Sequence, residues 1–250
     1  MAGTVEHLAI ALELMGRWRK DREIDVEYNA VSTEGKALQE IRLQHPALFL
    51  AGNVCPDGIQ ARQHYQRSMK MHTHFRDGIP DYEFGFPENL AVFHQRIHQF
   101  AETHLKTDSP DRELYLGYLT HILADEVFML TIRPEFMEKI AVLGLTDRDA
   151  ETFEHFTFDV NQIDFRLAKE YPGMETAYRI LTGSQPYAIE GMVTEEELTR
   201  SREWILDFFF DHAPLPEKPV YYTYERALQF ISSAVDTIEA GIWEYLQTIQ

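Results

Sequence analysis

Cysteine is almost absent from this sequence of 250 residues: Cys55 stands alone, so no disulfide can form within the chain. Long hydrophobic runs are also absent, and no stretch of about 18 uncharged apolar residues predicts a transmembrane helix. The first residues, MAGTVEHLAIALELMGRWRK, lack the basic region and cleavage site of a signal peptide. We therefore expect a cytoplasmic protein, in a reducing compartment and without stable membrane anchoring.

Basic residues are scarce as well: 23 Lys and Arg face 41 Asp and Glu, which gives a net charge of -18 with His neutral. This charge argues against binding extended nucleic acid through its phosphate backbone. It leaves a small anionic substrate open, because a bound cation can dominate the field inside a pocket. A Gly-rich phosphate loop, a nucleophile elbow and the adjacent His-Asp pair of HD phosphohydrolases are all missing.

Helical periodicity is what the sequence does show, whereas strand patterns are weak throughout. With 44% hydrophobic residues, the chain predicts an all-α fold, a multi-helix bundle that forms a single domain over residues 1–250. The expected helices cover residues 5–19, 33–44, 88–104, 111–131, 146–170, 194–211 and 223–246. Residues 47–60 read as a buried stretch that enters a loop, an irregular region follows to about Pro87, and residues 213–219 are a break.

Two polar residues interrupt the apolar segment GYLTHILADEV (residues 117–127). His121 and Asp125 are four residues apart, so on a helix they share one face. A buried carboxylate is costly unless a positive group meets it. That group can be an arginine or a metal ion; a solvated cleft or a hydrogen-bonded core network would also account for the pair.

A second pair has the same spacing in FEHFTFDVNQIDFRLA (residues 153–168), where His155 and Asp159 lie among aromatic residues. Two such pairs favour a shared metal site over coincidence, although two core networks without metal remain the alternative. Histidine nitrogen and aspartate oxygen suit zinc, iron or manganese. Asp164 falls on a different face of this helix, and we interpret it as solvated.

Three further candidates lie outside these pairs. His7 sits among apolar residues of the first helix, Asp57 occupies a Pro-Asp-Gly turn directly after an apolar run, and His74 belongs to KMHTHFRDG (residues 70–78). Each is weak alone, since such residues are usually structural or exposed. His94 and His98 have the spacing of a helical zinc pair, but their polar neighbours indicate an exposed face.

Taken in order, His7, Asp57, His74, His121-x-x-x-Asp125 and His155-x-x-x-Asp159 resemble the zinc-dependent phospholipase C family, which is related to the fungal single-strand nucleases. The local matches are LAGNVCPDGI, THFRDG and LGYLTHILAD. The resemblance covers a core of about residues 5–170, and the C-terminal helices, about residues 171–250, lie outside it.

The resemblance implies a mostly helical fold around a cluster of up to three zinc ions. His74, His121 and Asp125 would bind one ion, and Asp125 would bridge to a second near His7. His155 and Asp159 would hold a further ion. Asp57 would lie near the metal-bound water, as a general base or an additional ligand.

The chain also departs from the family. It has no N-terminal tryptophan whose amine enters the metal site, Asp159 replaces the usual Glu, and Thr131 stands where the family has a histidine. We therefore expect two zinc ions, within a range of one to three, with iron or manganese as alternatives.

The expected function is a metal-dependent hydrolase that attacks a small phosphorylated or phosphodiester substrate with metal-activated water. One alternative is another metalloenzyme on the same scaffold, such as an iron-dependent oxygenase or an amide hydrolase. The other is a non-catalytic helical protein with a structural metal.

Overall fold

The computed structural model of the protein describes residues 1–18, 41–106 and 111–249. Within these ranges the regular secondary structure is helical and no strand forms, although an isolated bridge joins Ile189 to Val193. The α-helices are Thr4–Arg17 (α1), Pro46–Val54 (α2), Arg67–Thr73 (α3), Pro87–His104 (α4), Arg112–Leu130 (α5), Ile132–Ala141 (α6), Ala150–Glu170 (α7), Met174–Gly183 (α8), Glu195–Ile205 (α9) and Tyr224–Thr248 (α10). The all-α prediction is confirmed.

Several helices begin where the sequence signals place them. Thr194 and Glu197 form a capping box at the start of α9, each side chain accepting the other residue's backbone N–H. Thr223 accepts the N–H of Arg226 at the start of α10. Thr146 and Asp149 do hydrogen-bond, but α7 begins only after Asp149, so this helix starts four residues later than expected.

The first loop prediction is wrong, because residues 46–61 are largely helical. Pro46 follows the non-helical residues 41–45 and begins α2, where its missing N–H costs nothing. A 3-10 helix, Pro56–Ala61, then carries the Pro-Asp-Gly turn. The region up to Pro87, which was predicted to be irregular, contains α3. Helices α6 and α8 were not predicted from the sequence. The helix expected over residues 33–44 lies mostly outside the described residues, and residues 41–44 are not helical.

Helices α2 and α5 cross in close contact through two glycines. A Cβ on Gly117 would lie 1.9 Å from the carbonyl oxygen of Phe49, and a Cβ on Gly52 would lie 1.8 Å from that of Leu114. Only hydrogen fits at either position, so the two backbones touch. This contact brings Asn53, and the 3-10 helix that follows it, against the middle of α5.

The N-terminus of α1 is held by residues far along the chain. Asp164 of α7 accepts the backbone N–H of Glu6 at 3.1 Å, and the hydroxyl of Tyr222 donates to the Glu6 carboxyl at 2.5 Å. Asp164 is therefore buried, and the prediction that it is solvated is wrong. Burial raises the pKa of both carboxyl groups, and the negative charge of Glu6 raises that of Asp164 further.

The C-terminal helices join the same hydrophobic core as the rest of the molecule. Helix α10 packs against α5 and α1, and its apolar residues Phe230, Ile231 and Ile238 are buried there. None of the helices in the described ranges is both long and apolar enough to cross a bilayer.

Candidate metal centre

Four separate segments bring five predicted ligands together. His7 comes from α1, Asp57 from the 3-10 helix, His74 from the residue that ends α3, and His121 and Asp125 from successive turns of α5. We call these five residues the histidine–aspartate cluster. The three histidines are 1–2% exposed and Asp125 is 4% exposed, so the cluster lies almost entirely out of water.

Side-chain nitrogens and oxygens converge at the centre of the cluster. His74 Nε2 lies 3.2 Å from His121 Nε2, 3.4 Å from an oxygen of Asp57 and 3.4 Å from an oxygen of Asp125. His7 Nε2 lies 3.3 Å from the other oxygen of Asp125. The rings of His7 and His121 stack, with centroids 3.6 Å apart and planes only 8° from parallel.

Hydrogen bonds at the outer edge of two imidazoles fix where their protons lie. His121 Nδ1 is 2.8 Å from the carbonyl oxygen of Asn53, and His74 Nδ1 is 2.9 Å from that of Lys70. A carbonyl only accepts, so each Nδ1 carries the proton and each neutral ring presents a lone pair at Nε2. The two Nε2 atoms that face each other are therefore both acceptors, and neither can donate to the other.

Some of the remaining polar atoms of the cluster also have no hydrogen-bond partner. Neither ring nitrogen of His7 has a hydrogen-bond partner among the described residues, nor does Asp125 Oδ2. The other oxygen of Asp125 accepts the backbone N–H of Ala2 at 2.8 Å. Unpartnered buried acceptors are costly unless a cation meets them. The donor set, neutral imidazoles and carboxylates, fits a divalent transition metal.

The charges of the cluster agree with this donor set. Burial lowers the pKa of His74 and, together with His7, holds that of His121 well below its ordinary value, so both rings are neutral near pH 7. Burial alone would raise the pKa of Asp125 and Asp57. In Asp125 the neighbouring His7 overcomes this effect, in Asp57 Lys70 does, and both carboxyls stay ionised.

Two overlapping groups of three residues have the spacing of a metal site. One is His7, His121 and Asp125; the other is Asp57, His74 and His121; within each, the candidate ligand atoms lie within 4.8 Å of one another. His121 belongs to both groups. Its Nδ1 is already bonded to Asn53, so its Nε2 can serve only one ion.

His155 and Asp159 do not join this cluster. The ring of His155 is about one-third exposed, lies 3.6 Å from Glu151 and packs edge-on against Tyr221. Asp159 is buried, but its oxygens accept three backbone N–H groups, those of residues 220–222, at 2.7–2.8 Å. Its carboxylate is satisfied by the chain itself, and neither residue falls in a metal-ligand group of the described residues.

Sequence reasoning missed Lys70, whose Nζ lies 2.5 Å from Asp57 Oδ1 and which is largely buried. Lys70 precedes His74 by four residues on one short helix, and this spacing was a usable signal. The carbonyl of Asn53, which orients His121, left no signal because any residue supplies a carbonyl. His72 points outward to Asp77, and His94 is about half exposed beside Glu126.

Known proteins add nothing to these observations. No protein-family model matches the chain, and comparison with curated proteins and with solved structures finds no match either. The resemblance to the zinc-dependent phospholipase C family therefore stays a prediction that rests on the residues quoted above.

Proposed function

We propose that this protein is a metal-dependent hydrolase of a phosphoester, with the histidine–aspartate cluster as its metal centre. The observation that carries the proposal is the pair of facing Nε2 acceptors of His74 and His121, 3.2 Å apart and buried between two carboxylates. A cation between these groups turns a set of mutually unfavourable contacts into ligand bonds. Zinc is the metal we propose, on the donor set and on the resemblance.

The arrangement supports one firmly held ion and a second that depends on Asp125. Because His121 can give its Nε2 to only one ion, the two groups of potential ligands compete for it. Asp125 has one oxygen toward His7 and the other toward His74, so its carboxylate is placed to bridge. We expect a zinc content between one and two ions per chain.

A divalent cation held by the residues of this cluster would supply Lewis acidity, which lowers the pKa of a water molecule toward neutrality. Asp57, held ionised, is the most exposed carboxylate of the cluster at 12% and is placed to accept or orient a proton of that water. Lys70 beside it neutralises charge that develops on phosphoryl oxygens.

The first test is elemental analysis of protein purified without a His-tag or added metal. Wild type, His121→Ala and Asp125→Ala are compared with His155→Ala as the matched control. We expect near-stoichiometric zinc in wild type and His155→Ala and its loss in the other two. Iron in place of zinc would favour the oxygenase alternative, and a wild type that cannot be loaded would refute the metal centre.

Hydrolysis is tested with bis-p-nitrophenyl phosphate in the presence of zinc or manganese. We expect turnover by wild type and its loss in His121→Ala. Metal-dependent turnover that survives unchanged in His121→Ala would count against the cluster as the active site.

One observation favours a second candidate, a structural metal without catalysis: the three histidines are almost fully buried. In that case zinc binds with the same stoichiometry and stabilises the fold, but no phosphoester is turned over. Zinc content and activity, measured on the same samples, separate the two functions.

A further inference from the structure

Several basic side chains lie beside the histidine–aspartate cluster, although the chain as a whole has a net charge of -18. Lys70 is paired with Asp57 of the cluster itself. Beyond it lie three arginines, Arg67, Arg76 and Arg133, which we call the arginine group. Arg67 and Arg76 both bind Asp81, one on each carboxylate oxygen, so a single negative charge is shared by two guanidinium groups.

Arg133 has no carboxylate of its own. Among the described residues it forms no ion pair and no hydrogen bond, although it is partly buried with its guanidinium carbon 5.4 Å above the ring of Phe156. Burial lowers the pKa of Arg133; Asp81 and Asp147 act in the opposite direction, and the charges of Arg67 and Arg76 lower it further. Among the described residues, the three guanidinium groups therefore have one directly bound carboxylate between them, that of Asp81.

Arg76 connects this charge to the cluster. Arg76 is only 3% exposed, and its guanidinium carbon lies 4.8 Å from the centroid of the Phe84 ring. Its Nε has no hydrogen-bond partner among the described residues. With His74, Asp125 and Glu126 it lines a gap that is too narrow to hold a water molecule. A buried guanidinium donor without an acceptor is unfavourable, and here it lies next to two predicted metal ligands.

We propose that Arg76, with Arg67 and Arg133 around it, binds the oxygens of a phosphate or phosphoryl group held next to the histidine–aspartate cluster. The planar fork of arginine matches phosphate oxygens and binds them bidentately. In the structure the carboxylate of Asp81 occupies the position proposed for the phosphate. A phosphate would bind by replacing this carboxylate as the partner of Arg67, Arg76 or both. The inference rests on the proposed function for the reaction, but the anion site itself does not require metal.

The experiment is calorimetric titration of inorganic phosphate into two forms of each protein, metal-free and zinc-loaded with excess zinc removed. The test variants are Arg76→Gln and Asp81→Asn. The matched controls are Arg179→Gln, an exposed arginine bonded only to Thr176, and Asp77→Asn, an exposed partner of His72. Ionic strength is held constant, because phosphate binding by arginine is screened by salt.

We expect wild type to bind one phosphate and Arg76→Gln to raise its Kd at least tenfold. Asp81→Asn removes the competing carboxylate and should lower the Kd severalfold, a gain that a merely structural role for Asp81 does not predict. Both controls should stay within twofold of wild type. If Arg76→Gln fails to fold, Arg76→Lys and Asp81→Asn carry the same test.

Failure of the inference is distinct from failure of the proposed function. Zinc-dependent hydrolysis with an unchanged phosphate Kd and substrate KM in Arg76→Gln would overturn the anion site alone. Phosphate binding that is lost in Arg76→Gln, in a protein without zinc or turnover, would keep the anion site and refute the hydrolase. No phosphate binding by either form of wild type would also overturn the inference.

Discussion

Asp159 is a carboxylate that the polypeptide satisfies without any cation. Its two oxygens accept the backbone N–H groups of three consecutive residues, Val220, Tyr221 and Tyr222. These bonds fix the segment that leads into α10 and thereby place the hydroxyl of Tyr222 on Glu6. The function of Asp159 is therefore to attach the last helix to α7.

Replacing Asp159 with Ala should destabilise the protein by about 3 kcal/mol, because three backbone donors lose a charged acceptor together. Zinc content should not change. Urea denaturation and elemental analysis check both points, with Glu151→Ala as an exposed control that should cost less than about 0.5 kcal/mol. Loss of zinc at unchanged stability would instead make Asp159 a ligand.

The buried carboxyl group of Asp164 should make the free energy of unfolding depend on pH. Its pKa is raised in the folded state by burial and by Glu6, so the folded protein binds protons that the unfolded chain has released. Its stabilising contribution is therefore present below the unfolded pKa of about 3.9 and is lost as the pH rises through the folded pKa.

In Asp164→Asn this titration is removed. The free energy of unfolding of the variant, relative to wild type, should therefore increase between pH 4 and pH 8. Denaturation at both pH values measures the difference. A constant difference would mean that Asp164 does not change protonation on folding.

The sequence predicted which side chains share a helix face, but it did not predict the residues that those side chains contact. Both His-x-x-x-Asp pairs lie on helices with the expected shared face, yet one pair meets two histidines and a second aspartate while the other meets backbone N–H groups and a tyrosine ring. Helical spacing fixes which residues share a face. It contains no information about the surface that packs against that face, and Asp164 was misread for the same reason.

At the scale of elements, the crossing of α2 over α5 positions the cluster. Gly52 and Gly117 let the helix backbones touch, and the carbonyl of Asn53 then reaches His121 Nδ1 at 2.8 Å. The same approach carries the 3-10 helix, and with it Asp57, to the face of α5 that bears His121 and Asp125. A change in the crossing would therefore disturb both stability and ligand orientation.

Gly117→Ala should destabilise the protein by about 3 kcal/mol through overpacking and should weaken zinc binding, since the added methyl group meets the Phe49 carbonyl. Gly16→Ala is the matched control: this helical glycine has open space around it, and the change should stabilise by about 0.5–1 kcal/mol. Denaturation curves and zinc titrations test both. Equal effects of the two substitutions would contradict the role given to the crossing.

Elements with a full helical period were predictable, and short ones were not. Helices α4, α5 and α10 lie within one or two residues of the expected bounds. Helix α6 was hidden because it follows α5 after a single non-helical residue, Thr131. Helix α8 follows its N-cap residue Gly173, whose φ of 84° permits a sharp turn that no apolar pattern signals. Pro46 was read as a stop, although proline also begins helices.

At the scale of the whole molecule, an ion in the histidine–aspartate cluster would be a cross-link. It would join the middle of α5 either to α1, through His7, or to the 3-10 helix and the end of α3, through Asp57 and His74. Because binding to such a site requires the folded arrangement, the binding free energy adds to the free energy of folding.

Zinc should therefore raise the thermal midpoint of unfolding, and chelation should lower it. At a free zinc concentration 100 times the Kd, the gain is about 2.7 kcal/mol. Differential scanning calorimetry with and without EDTA measures it. His121→Ala should show no response to zinc, whereas His98→Ala, an exposed histidine of α4, should respond like wild type.

The contacts that Asp164 and Tyr222, far along the chain, make with the start of α1 have a consequence for biosynthesis. His7 is made well before Asp164 and Tyr222, yet the N-terminus of α1 is held by Asp164 and, through Glu6, by Tyr222. Contacts between such distant positions form late in folding. A nascent chain on the ribosome therefore lacks the assembled histidine–aspartate cluster until Tyr222 has emerged, and a metal ion would be loaded only after that point.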